Sequence, residues 1–293
     1  MMPSLDDLKK RIKSVKSTQK ITKAMKMVAA AKLRKAQENA EKGRPYSKKM
    51  QNIILNLTRS ISDPKNAPKL LSGTGNDKTY LCVVLTADRG LCGGFNTNIC
   101  KLAKTSFKKI LNEKKNLKII TVGSKGFDQI KREYGKYVVK KYSFKEKKQI
   151  TFKEADTVGN EIIRLFNQNE FDKCILFFNN FKNVITQIPQ AQQIIPVDNK
   201  SSESKEENFL PYEFEPDEDE ILEDLLPKNI STQVFKAFLE NAASEQGSRM
   251  TAMDNATRNA GDLVDKLTIN YNRSRQASIT KELIEIISGA ESL

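Results

Sequence analysis

The two ends of this 293-residue chain carry long coiled-coil seams and its middle does not, which restricts the folds open to it. In residues 250–271, apolar and small side chains step 3-4-3-4-3-4 without an error. In residues 5–15 they step 3-4-3, and the pattern resumes at Met25 and Val28 after a slip of one residue. This spacing is the seam of a coiled coil. We therefore predict two long terminal helices that pair with each other.

The length of these helices indicates how they are arranged. The helical period of the C-terminal part runs from residue 230 to about 288, which is about 90 Å at 1.5 Å per residue. The N-terminal helix is of similar length, although Gly43, Arg44 and Pro45 should kink or briefly interrupt it. Two long helices from opposite ends of one chain most simply pair antiparallel, with the middle inserted between them. The predicted shape is a rod with a knob.

The middle of the chain alternates strand and helix patterns. Apolar runs predict strands at residues 80–86, 118–122, 137–139, 174–178 and 184–197, with helices at about 96–112, around 127–130 and at 152–169. Strands that alternate with helices predict a mostly parallel sheet covered on both faces. Pro189 and Pro196 place the last strand at an edge, because proline cannot donate to a neighbouring strand.

These patterns divide the chain into five segments. The predicted fold class is α/β, with a long antiparallel coiled coil of the two terminal helices and an inserted α/β domain. The expected segments are an N-terminal shaft helix (1–60), a linker (61–78), the α/β domain (79–200), an acidic foot loop with a short helix (201–227) and a C-terminal shaft helix (228–293).

The positive charge is concentrated in the first helix. Residues 1–60 hold 16 Lys and Arg against four acids, and no acid lies between Asp7 and Glu38. Residues 200–226 hold eleven acids against two Lys. Such a basic stretch indicates a polyanionic partner or an acidic protein surface. A nucleic-acid-binding coiled coil is one alternative, although residues 1–45 contain no aromatic side chain for base stacking.

The composition excludes several function classes. The chain has no His, which removes Ser-His-Asp, Cys-His and His-metal mechanisms. Its four Cys form no C-x2-C pair, so we expect no metal site, no cofactor and a reducing compartment. No window is apolar enough for a membrane helix. The N-terminus, with Asp6 and Asp7, is expected to be neither a secretory signal nor a transit peptide.

One Gly-rich turn stands where phosphate-binding loops occur. Residues 88–96 (DRGLCGGFN) follow a predicted strand and open a predicted helix. The glycine spacing matches neither G-x-G-x-x-G nor the P-loop, and the P-loop Lys is missing. We therefore predict a structural turn in which Asp88 accepts hydrogen bonds from loop amides. An α/β enzyme that uses residues 90–94 to bind a nucleotide is the second alternative.

Four segments together resemble the gamma subunits of F-type ATP synthases. They are residues 18–30 (TQKITKAMKMVAA), 86–96 (TADRGLCGGFN), 240–253 (ENAASEQGSRMTAM) and 275–290 (RQASITKELIEIISGA). The resemblance covers nearly the whole chain, and the final I-T-x-E-L-x-E-I-x-x-G-A run is specific to that family.

The resemblance implies a rotor that catalyses nothing itself. One copy would turn inside a ring of alpha and beta subunits and couple rotation of a proton-driven c-ring to ATP synthesis or hydrolysis. The other implied partner is the epsilon (delta-type) stalk subunit, with no nucleic acid and no cofactor. The implied location is peripheral, on the cytoplasmic face of the bacterial inner membrane or on the matrix side in an organelle.

The resemblance also implies contacts with the beta subunit. One group near the middle of the shaft would face an acidic loop of beta, and another higher on the C-terminal helix would hydrogen-bond a polar loop. The first group is Lys23, Met25, Lys26 and Arg249, and the second is Arg275 and Gln276.

A third implied contact lies at the foot of the shaft. Tyr212, Phe214 and Glu215 belong to a region where the family has Y-x-Y-E-P-D, and they would touch the c-ring. Phe214 stands where the family pattern has Tyr.

The register of the helix pair follows from the seams rather than from the family. Pairing Leu5 with Tyr271 keeps both 3-4 ladders in step and brings Thr22 to Met253. It also places the break at residues 43–45 opposite the start of the other helix. Residues beyond Tyr271 would then project as a single helix.

Overall fold

The structure is a computed structural model that describes residues 4–60, 68–147, 150–197 and 218–291. The chain divides into two compact units. The helix-pair unit consists of Met1–Ala30 and Arg249–Leu293, and the sheet unit consists of Ala31–Ser248. Within the described part of the chain, no helix is both long enough and apolar enough to cross a membrane.

Six α-helices are present in the described residues. The first and last are the long terminal helices that the seams predict, and both contribute to each unit. The helices are α1 (Leu5–Ser60), α2 (Lys69–Ser72), α3 (Phe95–Asn112), α4 (Ser124–Tyr134), α5 (Phe152–Asn167) and α6 (Glu218–Glu291).

The described strands form a single five-stranded sheet in the order β3-β2-β1-β4-β5. The pairs among β1 to β4 are parallel, and β5 runs antiparallel to β4 at one edge. The predictions of a mostly parallel sheet and of an edge position for the last strand are confirmed. The strands are β1 (Thr79–Leu85), β2 (Asn116–Val122), β3 (Val138–Tyr142), β4 (Lys173–Phe181) and β5 (Gln187–Ile195).

Alternate residues of the strands fill two apolar layers, one on each face of the sheet. Val83 and Leu176 lie in the layer that α5 and α6 cover, and α6 contributes Val234 and Phe238 to it. Val84 and Phe177 lie in the opposite layer, which α3 and α4 cover. The sheet therefore needs the C-terminal helix to cover one of its faces.

Helix α1 has the predicted extent but no break, and helix α6 is longer than its periodicity predicts. Helix α1 runs through Pro45 without the predicted interruption. The buried side chains of Ala40 and Met50 on either side of Pro45 hold it in place. Helix α6 begins at Glu218 rather than at 230, because Leu222 and Leu226 are buried against α1. The expected alignment of a break in α1 with the start of α6 is therefore wrong.

In the helix-pair unit, the seam of α6 has the predicted residues and the seam of α1 differs in part. Met253, Ala260, Val264 and Leu267 are buried, as the heptad pattern predicts. In α1 an unbroken 3-4 ladder of half-buried and buried positions runs through 5, 8, 12, 15, 19, 22, 26, 29 and 33, and positions 25 and 30 beside it are also half-buried. The predicted slip to Met25 and Val28 is therefore wrong, and Val28 is exposed.

The predicted register of this pair is wrong by one step of the seam. Thr257 donates its hydroxyl to the Thr22 hydroxyl across the pair at 2.8 Å, where the seams predict that Thr22 meets Met253. A Cβ at Gly261 would lie 3.0 Å from Nε2 of Gln19, which agrees with the same shift. Four residues along a helix correspond to about 6 Å. Accordingly, half-buried positions of α6 continue past Tyr271 as far as Ser278.

Crosslinking tests this register. We expect the pair Thr22→Cys and Thr257→Cys to form a disulfide on mild oxidation, because the hydroxyl oxygens 2.8 Å apart place the two side chains in direct contact across the pair. The pair Thr22→Cys and Met253→Cys is the control and should crosslink much less. Gel mobility without reductant measures both, and the native thiols are buried. Preferential crosslinking of the control pair would restore the register that the seams predict.

A second prediction concerns Gly123, after β2. Its φ is +102°, and a Cβ there would lie 2.3 Å from the carbonyl oxygen of Thr86. Gly123→Ala should therefore lower the free energy of unfolding by at least about 2 kcal/mol. Gly135→Ala is the matched control, because Gly135 is right-handed helical and a Cβ there meets no described atom within 4 Å. Denaturant unfolding followed by circular dichroism measures both, and equal effects would contradict the close approach at Gly123.

Candidate partner-binding site

The Gly-rich turn lies at the carboxyl end of β1, and its backbone is shaped by the chain itself. Leu91 and Gly93 have positive φ angles of 62° and 55°. The side chain of Asn96 accepts a hydrogen bond from the amide of Ala87 at 2.9 Å. Ala87, Cys92 and Phe95 form a small buried cluster under the turn. The apolar cluster and the hydrogen bond to Asn96 therefore stabilise the conformation of the turn.

Asp88 closes this turn against two neighbouring loops. One carboxylate oxygen accepts from the amide and hydroxyl of Ser124, both at 2.8 Å, and from the hydroxyl of Ser143 at 2.7 Å. The other accepts from the amide of Phe144 at 2.9 Å. Burial raises the pKa of Asp88, but these hydrogen bonds outweigh it and hold the pKa below its ordinary value. The prediction that Asp88 binds loop amides is confirmed.

Helix α6 covers the position where an open α/β sheet would hold a ligand. In such sheets ligands bind outside the carboxyl ends of the strands where the strand order reverses, which here lies between β1 and β4. At that edge Ser248 of α6 donates to the carbonyl of Cys92 at 2.7 Å, and Ser244 donates to the carbonyl of Asn179 at 3.0 Å. The turn therefore serves as a contact between the sheet and α6. The residues predicted to contact partner subunits lie elsewhere in the chain.

The residues expected to face the acidic loop of beta lie in the helix-pair unit. Lys23 is exposed and Met25 is half-buried. The ammonium of Lys26 lies 2.6 Å from a carboxylate oxygen of Asp254, an ion pair within the chain in which both side chains keep more than a third of their surface exposed. This contact lowers the pKa of Asp254 below its ordinary value. The sequence reasoning did not foresee this internal partner.

The remaining predicted beta contacts lie on α6 in the same unit. Arg249 is half-buried. Arg275 and Gln276 are both exposed, at positions between the half-buried Ser274 and Ser278 of the seam. Their side chains therefore point away from the seam, as the expected contact with a partner requires. The residues expected to touch the c-ring, namely Tyr212, Phe214 and Glu215, lie outside the described residues.

A surface that the sequence reasoning missed lies at the end of α6. All residues from 279 to 290 are exposed, and the apolar ones cover an arc of about 160° at 100° per residue. Lys281, Glu282 and Glu285 lie on the other side of the helix, with Lys281 3.5 Å from Glu285. The sequence L-I-E-I-I at residues 283–287 could have indicated this apolar surface. The exposed apolar residues are Ile279, Leu283, Ile284, Ile286 and Ile287.

The cysteines offer little chemistry. All four are buried and outside any disulfide. Burial raises the pKa of Cys100 to about 11 and that of Cys174 well above its ordinary value, so both stay protonated. Among the residues that the structure describes, no group of three or more His, Cys, Asp or Glu could hold a metal ion.

Comparison with known proteins identifies the family. The family model described as ATP synthase matches residues 4–293. An ATP synthase gamma chain of Pelagibacter ubique is 73% identical over 294 residues, and it covers all of both chains. One of Sinorhizobium medicae is 56% identical, also over the full length of both chains. The chain belongs to the ATP synthase gamma chain family.

Solved structures of similar fold agree with this family. The central stalk and c-ring structure of the Tetrahymena thermophila mitochondrial ATP synthase contains a chain that is 26% identical with a TM-score of 0.63. The match covers 80% of this chain and 99% of that one. A chain in the Euglena gracilis mitochondrial ATP synthase has the same fold at 19% identity, with a TM-score of 0.67 and coverage of 98% and 94%. Neither alternative function finds support among these relatives.

The network around Asp88 yields a pH prediction. Asp88→Asn should lower the free energy of unfolding by about 1.5–3 kcal/mol at pH 7, because bonds to a charged acceptor are lost. The folded-state pKa is depressed, so the stabilisation is complete above the ordinary value of 3.8 and disappears as the pH falls through the folded value. The difference between wild type and variant should therefore shrink in acid.

Unfolding in denaturant at pH 7 and at successively lower pH measures this difference. Asp128→Asn is the control, because Asp128 is exposed and its pairs with Lys125 and Lys131 lie on the surface. Its effect should stay within about 0.5 kcal/mol at pH 7. A difference for Asp88→Asn that grows in acid would mean that the carboxylate does not stabilise the turn.

Proposed function

We propose that this chain is the non-catalytic central-stalk rotor subunit of an ATP synthase. The observation that supports this most strongly is the full-length match to the gamma chain family, together with a fold shared with a central stalk at 26% identity. In this role one copy turns within a ring of alpha and beta subunits and couples rotation of a c-ring to ATP synthesis or hydrolysis. The epsilon (delta-type) subunit is the further stalk partner.

The apolar end of α6 supports a place inside a ring of other subunits. Its exposed isoleucines and leucine have no partner among the described residues. Isolated soluble proteins seldom expose a contiguous apolar surface of this kind without a binding role. We propose that the ring of alpha and beta subunits surrounds residues 279–287 and removes them from water.

The proposed contact with the acidic loop of beta involves Lys23, Met25, Lys26 and Arg249. Lys26 is already paired with Asp254, but both members are partly exposed. Exposed pairs of this kind contribute little to stability, so Lys26 can exchange Asp254 for a carboxylate of beta at little cost. A rotor needs contacts that break and re-form at each step, and weak exposed pairs meet that requirement.

The foot contacts and the location are also part of the proposal. Tyr212, Phe214 and Glu215 would meet the c-ring, on the strength of the family resemblance. Through the c-ring the subunit would be attached peripherally to a membrane, on the cytoplasmic face of the bacterial inner membrane or the matrix side of an organelle.

Co-expression tests the function directly. The chain should co-purify with alpha and beta subunits as a complex that hydrolyses ATP, and the chain alone should hydrolyse none. An alpha and beta preparation without this chain is the control. ATP hydrolysis by the purified chain, or failure of the complex to form, would contradict the proposal.

Substitution of Arg275 and Gln276 tests the hydrogen bonds that we propose for them with the beta subunit. Each exposed side chain can donate to a partner, and hydrogen bonds to charged groups contribute roughly 1.5–3 kcal/mol. The double variant Arg275→Ala, Gln276→Ala should therefore weaken assembly or slow ATP turnover by about tenfold or more. Arg273→Ala, which removes the same charge from an exposed position nearby, should leave both unchanged. Normal assembly and normal turnover in the double variant would show that this contact is dispensable.

A further inference from the structure

Strand β4 extends beyond its neighbour β1 and leaves part of its edge without a strand partner. The two strands pair as far as Val84 and Phe177, and β1 ends at Leu85. β4 continues to Phe181. On its other side β4 still pairs with β5 over this stretch. The backbone groups of Asn179 and Phe181 that point toward the place of β1 therefore need other partners.

Three polar side chains of α6 supply those partners. The amide of Asn179 donates to the side-chain oxygen of Asn241 at 3.2 Å, and the hydroxyl of Ser244 donates to the carbonyl of Asn179 at 3.0 Å. The amide of Phe181 donates to Oε2 of Glu240 at 3.2 Å. One face of the helix thus completes the hydrogen bonding of the sheet edge.

The second oxygen of Glu240 binds the other long helix. Arg44 of α1 donates to Oε1 of Glu240 through Nε at 3.0 Å and through Nη2 at 2.9 Å. The side chain of Glu240 is only 5% exposed, whereas that of Arg44 is 49% exposed. At the same level, a Cβ on Gly43 would lie 3.0 Å from Leu239. A single buried carboxylate therefore joins α1, α6 and the end of β4.

Directional bonds at this junction add to the constraint that apolar packing provides. Contacts such as those of Val234 and Phe238 with the sheet hold α6 in place, but the hydrophobic effect has no preferred direction. Hydrogen bonds to an ionised group are roughly twice as strong as neutral ones, and they weaken steeply when their angle changes. They therefore resist a helix that turns or slides against the sheet.

We propose that Glu240 is a positioning residue that transmits torque between the sheet of this protein and both of its long helices. The proposal rests on the proposed rotor function. Torque applied to the sheet unit reaches α6 through Glu240 itself and reaches α1 through Arg44. Neither residue belongs to the surfaces proposed for the beta subunit or the c-ring, so ATP hydrolysis without load does not depend on them.

The test uses the assembled complex. Glu240→Gln keeps an acceptor for Phe181 but removes the charge that binds Arg44, and Arg44→Met removes the same bond from the half-exposed side. Glu133→Gln is the matched control, because it makes the same change in an exposed pair with Lys104 2.6 Å away in the sheet unit. Arg44→Lys keeps the charge and tests rescue.

The decisive readout is the angular fluctuation of a probe on the sheet unit while the catalytic ring is held on a surface without ATP. Because both variants lose the charged bond between α1 and α6, the angular variance in Glu240→Gln and Arg44→Met should exceed that of Glu133→Gln. ATP-driven proton pumping per ATP against an imposed gradient should fall in the same two variants. Unloaded ATP hydrolysis should stay near the wild-type value. The angular variance and the pumping of Arg44→Lys should lie between those of the wild type and those of Glu240→Gln and Arg44→Met.

The outcomes separate this proposal from the proposed function. Failure of the wild-type chain to assemble with alpha and beta would overturn both. If the complexes assemble normally, and Glu240→Gln and Arg44→Met show the same angular variance and the same proton pumping as Glu133→Gln, only the role of Glu240 is overturned. If Glu240→Gln fails to assemble, Arg44→Met decides, since it leaves the bond from Phe181 to Glu240 intact. A lower thermal midpoint with unchanged variance would assign the pair a purely structural role.

Discussion

The packing of α6 against the open edge and one face of the sheet is the interaction on which the rest of this fold depends. The α/β segment alone leaves one face of the sheet short of apolar cover and leaves the amides of Asn179 and Phe181 without strand partners. Helix α6 supplies both needs, and Glu240 then fixes α1 to the same place. An unpaired buried amide is costly. The two chain ends and the middle therefore stabilise one another.

This dependence also explains why a fold that resembles a nucleotide-binding domain carries no such site here. The edge at which the strand order reverses is covered by α6, whose Ser244 and Ser248 bind the backbone there. The Gly-rich turn beside it has positive φ angles at Leu91 and Gly93. Its Asp88 carboxylate accepts hydrogen bonds from two neighbouring loops, and Asn96 accepts one from the amide of Ala87.

The elements of the fold could be predicted from the sequence, because their signals are local. The apolar runs predicted every strand to within a few residues, and the heptad seam correctly predicted the buried residues of α6 within the helix-pair unit. The register could not be predicted, because a 3-4 seam looks the same after each step. The bond between Thr22 and Thr257 distinguishes neighbouring registers, and the apolar pattern does not include it. Likewise, Lys26 lies 228 positions from Asp254 and Arg44 lies 196 positions from Glu240, so no local pattern indicates these ion pairs.

In the proposed role, this chain turns while the catalytic ring stands still. Because the native thiols are buried, a single Cys in place of the exposed Lys109 of α3 would carry a probe on the sheet unit. With the alpha and beta ring fixed to a surface, single-molecule imaging in ATP should show the probe rotating in one direction. A probe that stays fixed while the same complex hydrolyses ATP would contradict the proposed rotor function.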